Sequence, residues 1–527
     1  MNLVSSSSKR IRDTLFFLIV FCIIFDYGPK AIWNNLWGLG GPYSNMLGDY
    51  PIMAGFLFTG FMIYKGYIHL WNRYAVFFFC ITFLIYAASA LHGLYIYPYW
   101  DLVLNAPEPQ IEKLPWVLDL LHKHQISISH EQLFSIWIFV RSIKSAFFEL
   151  LYQFGVSYMI YLWYKNDLRR AWSVFFKGLL AGLAVFIAYG LVDVFYQHGS
   201  LTAAFILKQA NPLIHDIGKV HDWWPPLLWE NQFRSVFSEP SRVGNYIAFA
   251  LPFLFIPVLN KSKQWKYYIF LVFSVSYMVF LTRARTAVSM LLGILALSVI
   301  LLLFLFGQGY IKRFGMILCV VVGAFVISIA SISLFSNVNI NGAEPTIHQA
   351  AVEYMEDNVG SLASSNKRSN QARYALLKSN VKIGLEHPAL GVGAMLNGAY
   401  VVEHFDDFDL QSSEVQQWID AYWEMGPLKH NFDAMNEYAT VFATKGILGL
   451  LCLLFPFIYG CTVLLCRIRK CNDTVIQVRL FGLILATISS LVAGCNGSLI
   501  LIYAVWILLS LVYIALSDKE LGNEKSF

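Results

Sequence analysis

The sequence predicts an all-α polytopic membrane protein with about 12 transmembrane helices and large extracytoplasmic loops. Three observations lead there. Charged residues make up only 13% of the 527 residues, about half the share found in soluble domains. Hydrophobic residues reach 57%, aromatics 16%, and the mean hydropathy is +0.56. The apolar residues also fall in uninterrupted runs, and roughly 20 such residues suffice to cross a bilayer. These features exclude a soluble enzyme, a nucleic-acid-binding module and a disordered scaffold. The net charge of +5 says little about partners until its placement is known.

The candidate spans lie near 14–33, 50–69, 74–97, 134–163, 171–197, 243–260, 266–284, 285–306, 313–335, 433–466, 476–494 and 497–516. The first begins like a signal peptide, with Lys9, Arg10 and Arg12 before LFFLIVFCIIF. It meets Asp26-Tyr27-Gly28-Pro29 without a small-residue cleavage site, so it reads as a retained anchor. Charges are costly at a bilayer centre, so Thr282-Arg283-Ala284-Arg285-Thr286 splits the region 266–306 into a hairpin at a membrane surface.

Lys and Arg placement sets the expected orientation. With the N-terminus in the cytoplasm, half of the 38 basic residues fall in short inner segments, from Lys9, Arg10 and Arg12 to Lys519 and Lys525. Both termini are then cytoplasmic. The long polar segments 98–133, 198–242 and 336–432 face outward, and the last holds twice as many acidic as basic residues. The expected organisation is helices 1–9 with two outer loops over 1–335, a large outer loop with short helices over 336–432, and helices 10–12 with a cytoplasmic tail over 433–527. Loops this long usually carry function. A transporter rocking about a midplane site usually shows paired repeats, and none is found. The eight cysteines lie in or beside apolar runs, so they show no disulfide framework, and no second ligand pair supports a zinc site.

Candidate chemistry gathers at the outer ends of spans. The second outer loop ends Phe233-Arg234-Ser235-Val236-Phe237-Ser238-Glu239-Pro240-Ser241-Arg242. Pro240 suits a first helical position, with Ser238 or Glu239 as cap. Arg234, Arg242, a carboxylate and free helix N–H groups there suit a diphosphate. The plainer alternative is Glu239 answering the helix dipole and Arg234 solvated.

In the third loop, Asn370 reads as the cap of a short helix, Arg373 falls in its first turn, and Gly384 is its terminator. A cation in a first turn opposes the macrodipole, which favours a role in holding an anion over that of an ordinary surface arginine. The glycines of Pro388-Ala389-Leu390-Gly391-Val392-Gly393 suggest a turn where backbone packs closely. Asn431 reads as the cap of the tenth span, leaving His430 at its outer mouth as a candidate base or hydrogen-bond partner, or as an incidental histidine. Arg283 and Arg285 lie on the same outer side, where topology does not require them. Within the fourth span Arg141, Lys144 and Glu149 should face the protein interior or a wet cavity, as should Asp193 in the fifth. An internal ion pair without a chemical role is the alternative.

These residues together resemble the O-antigen polymerase/O-antigen ligase superfamily of bacterial envelope glycosyltransferases. The resemblance runs over roughly 140–515. It rests on Arg234 with Phe-Ser-Glu-Pro-Ser and Gly244, Arg373-x10-Gly384 followed by Gly-Val-Gly, His430-Asn431 before an apolar helix, and the Arg283/Arg285 turn. His387 stands where many members carry Asn before the proline. The resemblance implies a GT-C-like helical fold and a transferase without metal or cofactor. It also implies a polyprenyl-diphosphate-linked oligosaccharide donor and a glycan acceptor at the outer face of the bacterial inner membrane. Arg234 and Arg373 would hold the diphosphate with help from Arg285, and His430 would position or activate the acceptor hydroxyl. A flippase and a chain-length regulator of the same pathway would be its partners. The Glu-Pro-Ser wording favours a polymerase of O-antigen, capsule or exopolysaccharide units over a ligase. A lipid-linked oligosaccharide exporter is the rival from another class, and the large outer loops count against it.

Overall fold

The computed structural model describes residues 6–25, 46–70, 72–215, 232–335, 347–358, 360, 368–430, 432–499 and 502–518. Among them it is helical, with no strand. The first half comprises α1 (Ser6–Phe21), α2 (Asp49–Tyr64), α3 (Arg73–Ile96), the short α4 (Trp100–Leu104) and α5 (Leu114–Lys123), then α6 (His130–Leu150). A π-helical turn, Leu151–Gly155, carries α6 into α7 (Val156–Tyr164), followed by α8 (Leu168–Gln197) and α9 (Leu201–Ile214). Then come α10 (Pro240–Leu259), α11 (Trp265–Leu281), α12 (Arg285–Phe306) and α13 (Ile311–Phe335). The large loop contributes α14 (Ile347–Asn358), α15 (Arg368–Glu386), α16 (Asn397–Glu403) and α17 (Ser413–Met425). The chain finishes with α18 (Glu437–Lys470), α19 (Thr474–Ala493) and α20 (Ala504–Ser517). Each expected span has a helical counterpart. Among the described residues seven helices are long and apolar enough to cross a membrane, and α11 and α20 are shorter apolar helices.

Local sequence sets the ends. Ser129 and Gln132 form a capping box on α6, and Asp167 caps α8 by accepting from Arg170 N–H at 3.2 Å. Three expectations are corrected. The tenth span begins at Glu437, and Asn436, accepting from Ala439 N–H, is its cap. Asn431 lies too early for that role and is itself outside the described residues. Helix α15 starts at Arg368, so Asn370 is inside it and Arg373 sits in its second turn. The same helix runs past Gly384 to Glu386. Gly384 is there for contact: a β-carbon would lie 2.2 Å from the Phe442 ring of α18.

Helix α18 is broken at Gly446 (φ 64, ψ −170). The break frees backbone groups that would be costly to leave unpaired at membrane depth, and the loop 388–393 pairs them. Val392 and Gly393 N–H donate to the carbonyls of Ala443 and Thr444, both at 2.9 Å, and Ile447 N–H donates to Pro388 O at 2.8 Å. Ser89 Oγ also donates to Thr444 O, at 2.7 Å. The expected close packing of the glycine loop is present. A β-carbon on Gly391 would lie 2.4 Å from the Thr444 carbonyl carbon, and one on Gly446 would lie 2.3 Å from that of Ala389.

Beside the break, Lys445 is buried and paired with Glu149 of α6, with its ammonium 3.9 Å from the centre of the Tyr86 ring. Glu149 is thus in an internal ion pair, whereas Arg141 and Lys144 are exposed and not turned into the bundle. A second apolar cluster joins the segment 98–133 to the segment 368–432. Tyr97, Leu114 and Leu133 pack there with Leu376, Tyr400 and Tyr422.

Replacing Gly446 by Ala adds a side chain where both φ and space forbid one. Thermal unfolding in detergent should show a loss of about 2 kcal/mol or more. Gly293→Ala, whose new β-carbon meets nothing within 4 Å, should leave the midpoint unchanged or slightly raised.

Candidate functional site

Two helix N-termini meet at one end of the bundle. Helix α10 starts with Pro240 at its first position after extended Glu239, as the sequence suggested. Glu239 is exposed and accepts a hydrogen bond from Ser241 Oγ at 3.0 Å. Helix α12 starts at Arg285, after a turn in which buried Thr282 Oγ1 accepts from Ala284 N–H at 3.1 Å and Arg283 takes φ 48. The two first turns touch because residue 244 is glycine: a β-carbon there would lie 2.8 Å from Ala287 Cα. Two positive dipole ends therefore stand side by side.

Cationic side chains face this pair of ends. Arg285 donates to Asn370 Oδ1 of α15 at 2.9 Å. Arg373, one turn further along α15, donates to Asn496 Oδ1, and Asn496 Nδ2 donates to Thr286 Oγ1 at 3.2 Å. Burial holds the pKa of Arg373 below the usual arginine value, and the like charge of Arg285 adds to this, while Glu414 and Glu239 oppose it. Two arginines are thus kept close with one of them largely out of water, an arrangement relieved by an anion between them. Arg283 is half-buried beside Tyr354 and Glu353 of α14, and burial lowers its pKa as well. Arg242, half-buried in the first turn of α10, lines a small cavity with Tyr246 and Tyr503.

The other residues singled out from the sequence lie elsewhere. Arg234 is 2% exposed and closes its own turn by donating to Ser238 O at 3.2 Å. The N–H groups of Arg234 and Ser235 donate to Asp193 Oδ2 of α8, at 3.1 and 2.6 Å. Arg141 is on α6 and exposed. His430 ends a turn gripped by Gln110, between α4 and α5, which donates to Met425 O and accepts from Leu428 N–H, both at 2.8 Å. Its ring packs against Tyr422 and Phe432, and its Nε2 is enclosed with no hydrogen-bond partner among the described residues. Burial lowers its pKa, with Asp433 opposing.

Sequence reasoning missed Asn496, Thr286 and Glu414. The Asn496-Gly497 pair between the last two spans was a readable turn signal. Nothing in the chain announced that Asn496 would meet Arg373. Among the described residues no group of three or more His, Cys, Asp and Glu could hold a metal ion.

Residues 269–454 match the family described as O-antigen ligase. Over these residues the chain is similar to the O-antigen polymerase/ligase superfamily. No curated protein and no solved structure matches the chain. The matched segment runs from α11 to just beyond the Gly446 break, taking in Arg283, Arg285, Arg373, Gly384 and His430. Arg234, Glu239, Pro240, Arg242 and Asn496 lie outside it. This family implies an integral membrane enzyme of the glycosyltransferase kind, acting on a lipid-linked glycan.

The His430 geometry sets a pH dependence. Its folded pKa lies below the unfolded value of about 6.5, so the unfolded chain binds its proton more readily. Stability is then full above about pH 6.5 and is lost as pH falls below it. His430→Phe should lose less unfolding temperature than the parent between pH 7 and pH 5. An identical loss in both proteins contradicts the assignment.

Proposed function

We propose that the protein transfers glycan from a polyprenyl-diphosphate donor to a sugar hydroxyl at the outer face of the bacterial inner membrane, without a metal ion, and that the acceptor is another lipid-linked unit, so that repeats are polymerised. The observation that carries this is the convergence of the α10 and α12 N-termini with Arg285 and Arg373. In the reaction the acceptor oxygen bonds to the anomeric carbon and the bond from that carbon to the diphosphate oxygen breaks. The electron pair leaves on the diphosphate. Preorganised N–H groups and guanidiniums stabilise that developing charge more than the ground state.

Glu239, exposed beside the helix ends and within electrostatic reach of Arg373, is the carboxylate best placed to take the acceptor proton. His430, neutral and lodged among Tyr422 and Phe432, serves the acceptor side by positioning a sugar. Arg242 and Arg283 add positive potential around the donor. The topology with both termini in the cytoplasm puts this surface outside, where long acceptor chains have room.

A second reading, transfer of finished glycan to a lipid or protein acceptor, is favoured by the description of the matched family as O-antigen ligase. Purified protein incubated with a polyprenyl-diphosphate repeat unit in the presence of EDTA distinguishes the readings. The polymerase reading expects a ladder of longer products, cut by about 100-fold or more in Arg373→Ala as oxyanion-type contacts are lost. Transfer only to an added core acceptor supports the ligase reading, and product that requires a divalent ion contradicts both.

A further inference from the structure

At the opposite end of α8 from the Arg234 turn, α1 and α8 form a second polar feature. The two helices touch at Gly178, where a β-carbon would lie 2.9 Å from Phe17 O and Val20 Cβ. Toward their N-termini they part and leave an open cavity of ≈ 360 Å³. Lys9, Arg10, Arg170 and Lys177 line it together with the apolar Phe17 and Val174.

The carboxylate that lines the cavity, Asp13, is already engaged. It pairs with Arg12 at 2.9 Å and Arg170 at 2.6 Å, and Tyr164 OH donates to it at 2.7 Å. Arg12 is turned away, donating to Trp163 O at 2.9 Å and lying over the Tyr164 ring. Lys9, Arg10 and Lys177 form no ion pair among the described residues.

Short inner loops carry lysine and arginine as orientation signals, which accounts for Lys9 and Arg10. Lys177 is different. It stands on the same face of α8 as Arg170, about 10 Å further along the axis, inside an otherwise apolar run. A lysine at that depth needs either a route to water or an anion.

We propose that this groove binds the phosphate of an anionic membrane lipid, with Lys9, Arg10 and Lys177 on the headgroup and an acyl chain against Phe17 and Val174. The shared chemistry is a phosphate anion. The apolar wall and the depth of Lys177 favour a lipid over free phosphate. The site is separate from the donor site, since the 30-residue α8 puts them at opposite membrane surfaces.

The test uses the full-length protein, delipidated in a neutral detergent and examined by native mass spectrometry. Phosphatidylglycerol, phosphatidylcholine and inorganic phosphate are titrated in separate arms. Retention of phosphatidylglycerol over phosphatidylcholine is expected, weakened about fivefold in Lys177→Gln and kept in Lys177→Arg. These side chains are exposed, so unchanged unfolding temperatures should accompany the loss. Equal retention of both lipids, or equal phosphatidylglycerol binding by parent and Lys177→Gln, overturns the site. Displacement of phosphatidylglycerol by millimolar inorganic phosphate overturns the lipid as its occupant.

Discussion

The backbone exchange at Gly446 is the constraint on which the arrangement of the outer surface depends. A continuous helix would need no partner there. A helix broken at membrane depth must find acceptors and donors, and it takes them from residues 388–393 of the large loop. That pairing fixes the loop against α18 by main chain, so its position does not rest on flexible side chains. Helix α15 leads directly into this loop and is further seated by Gly384 on Phe442. Arg373, three turns back along α15, is consequently held over the helix ends of α10 and α12 by the membrane bundle itself.

The electrostatics follow from that placement. Arg285 at a helix N-terminus is unfavourable locally, and Arg373 close to it is unfavourable again. Asn370, Asn496 and Thr286 hold the two side chains in place but bring no negative charge. Charge of the opposite sign comes from Glu239 and Glu414, which act on Arg373 through space. A surface that keeps two guanidiniums and two helix ends together is suited to an incoming anion. The buried Glu149–Lys445 pair is different in kind, since its charges are balanced internally and it braces the break.

Much of the fold was legible because bilayer thickness makes apolar runs nearly unambiguous. The existence of the apolar helices, the Thr282–Thr286 turn and Pro240 as a first helical residue all followed from local chemistry. The glycine loop was also recognisable as a place of close backbone packing. Its partner was not, because Gly446 sits in an apolar run where a glycine need not break a helix. Gly384 was misjudged for a related reason: a glycine near a helix end reads as a terminator, whereas here its missing β-carbon admits Phe442. Arg285 was singled out because topology does not require it, and Arg373 because a cation near a helix start opposes the macrodipole. Arg234 was singled out for standing before a helix start, yet it folds under with Asp193, a contact between positions 41 residues apart that no local pattern encodes.

The central claim is that the donor diphosphate lies between the N-termini of α10 and α12. The most direct measurement is an experimental structure of the protein with a polyprenyl diphosphate bound. The account requires phosphate density within hydrogen-bond distance of Arg285 and Arg373 and of first-turn N–H groups of both helices. Density held instead at the Arg234–Asp193 turn, with Arg373 still on Asn496 and no anion beside it, contradicts it.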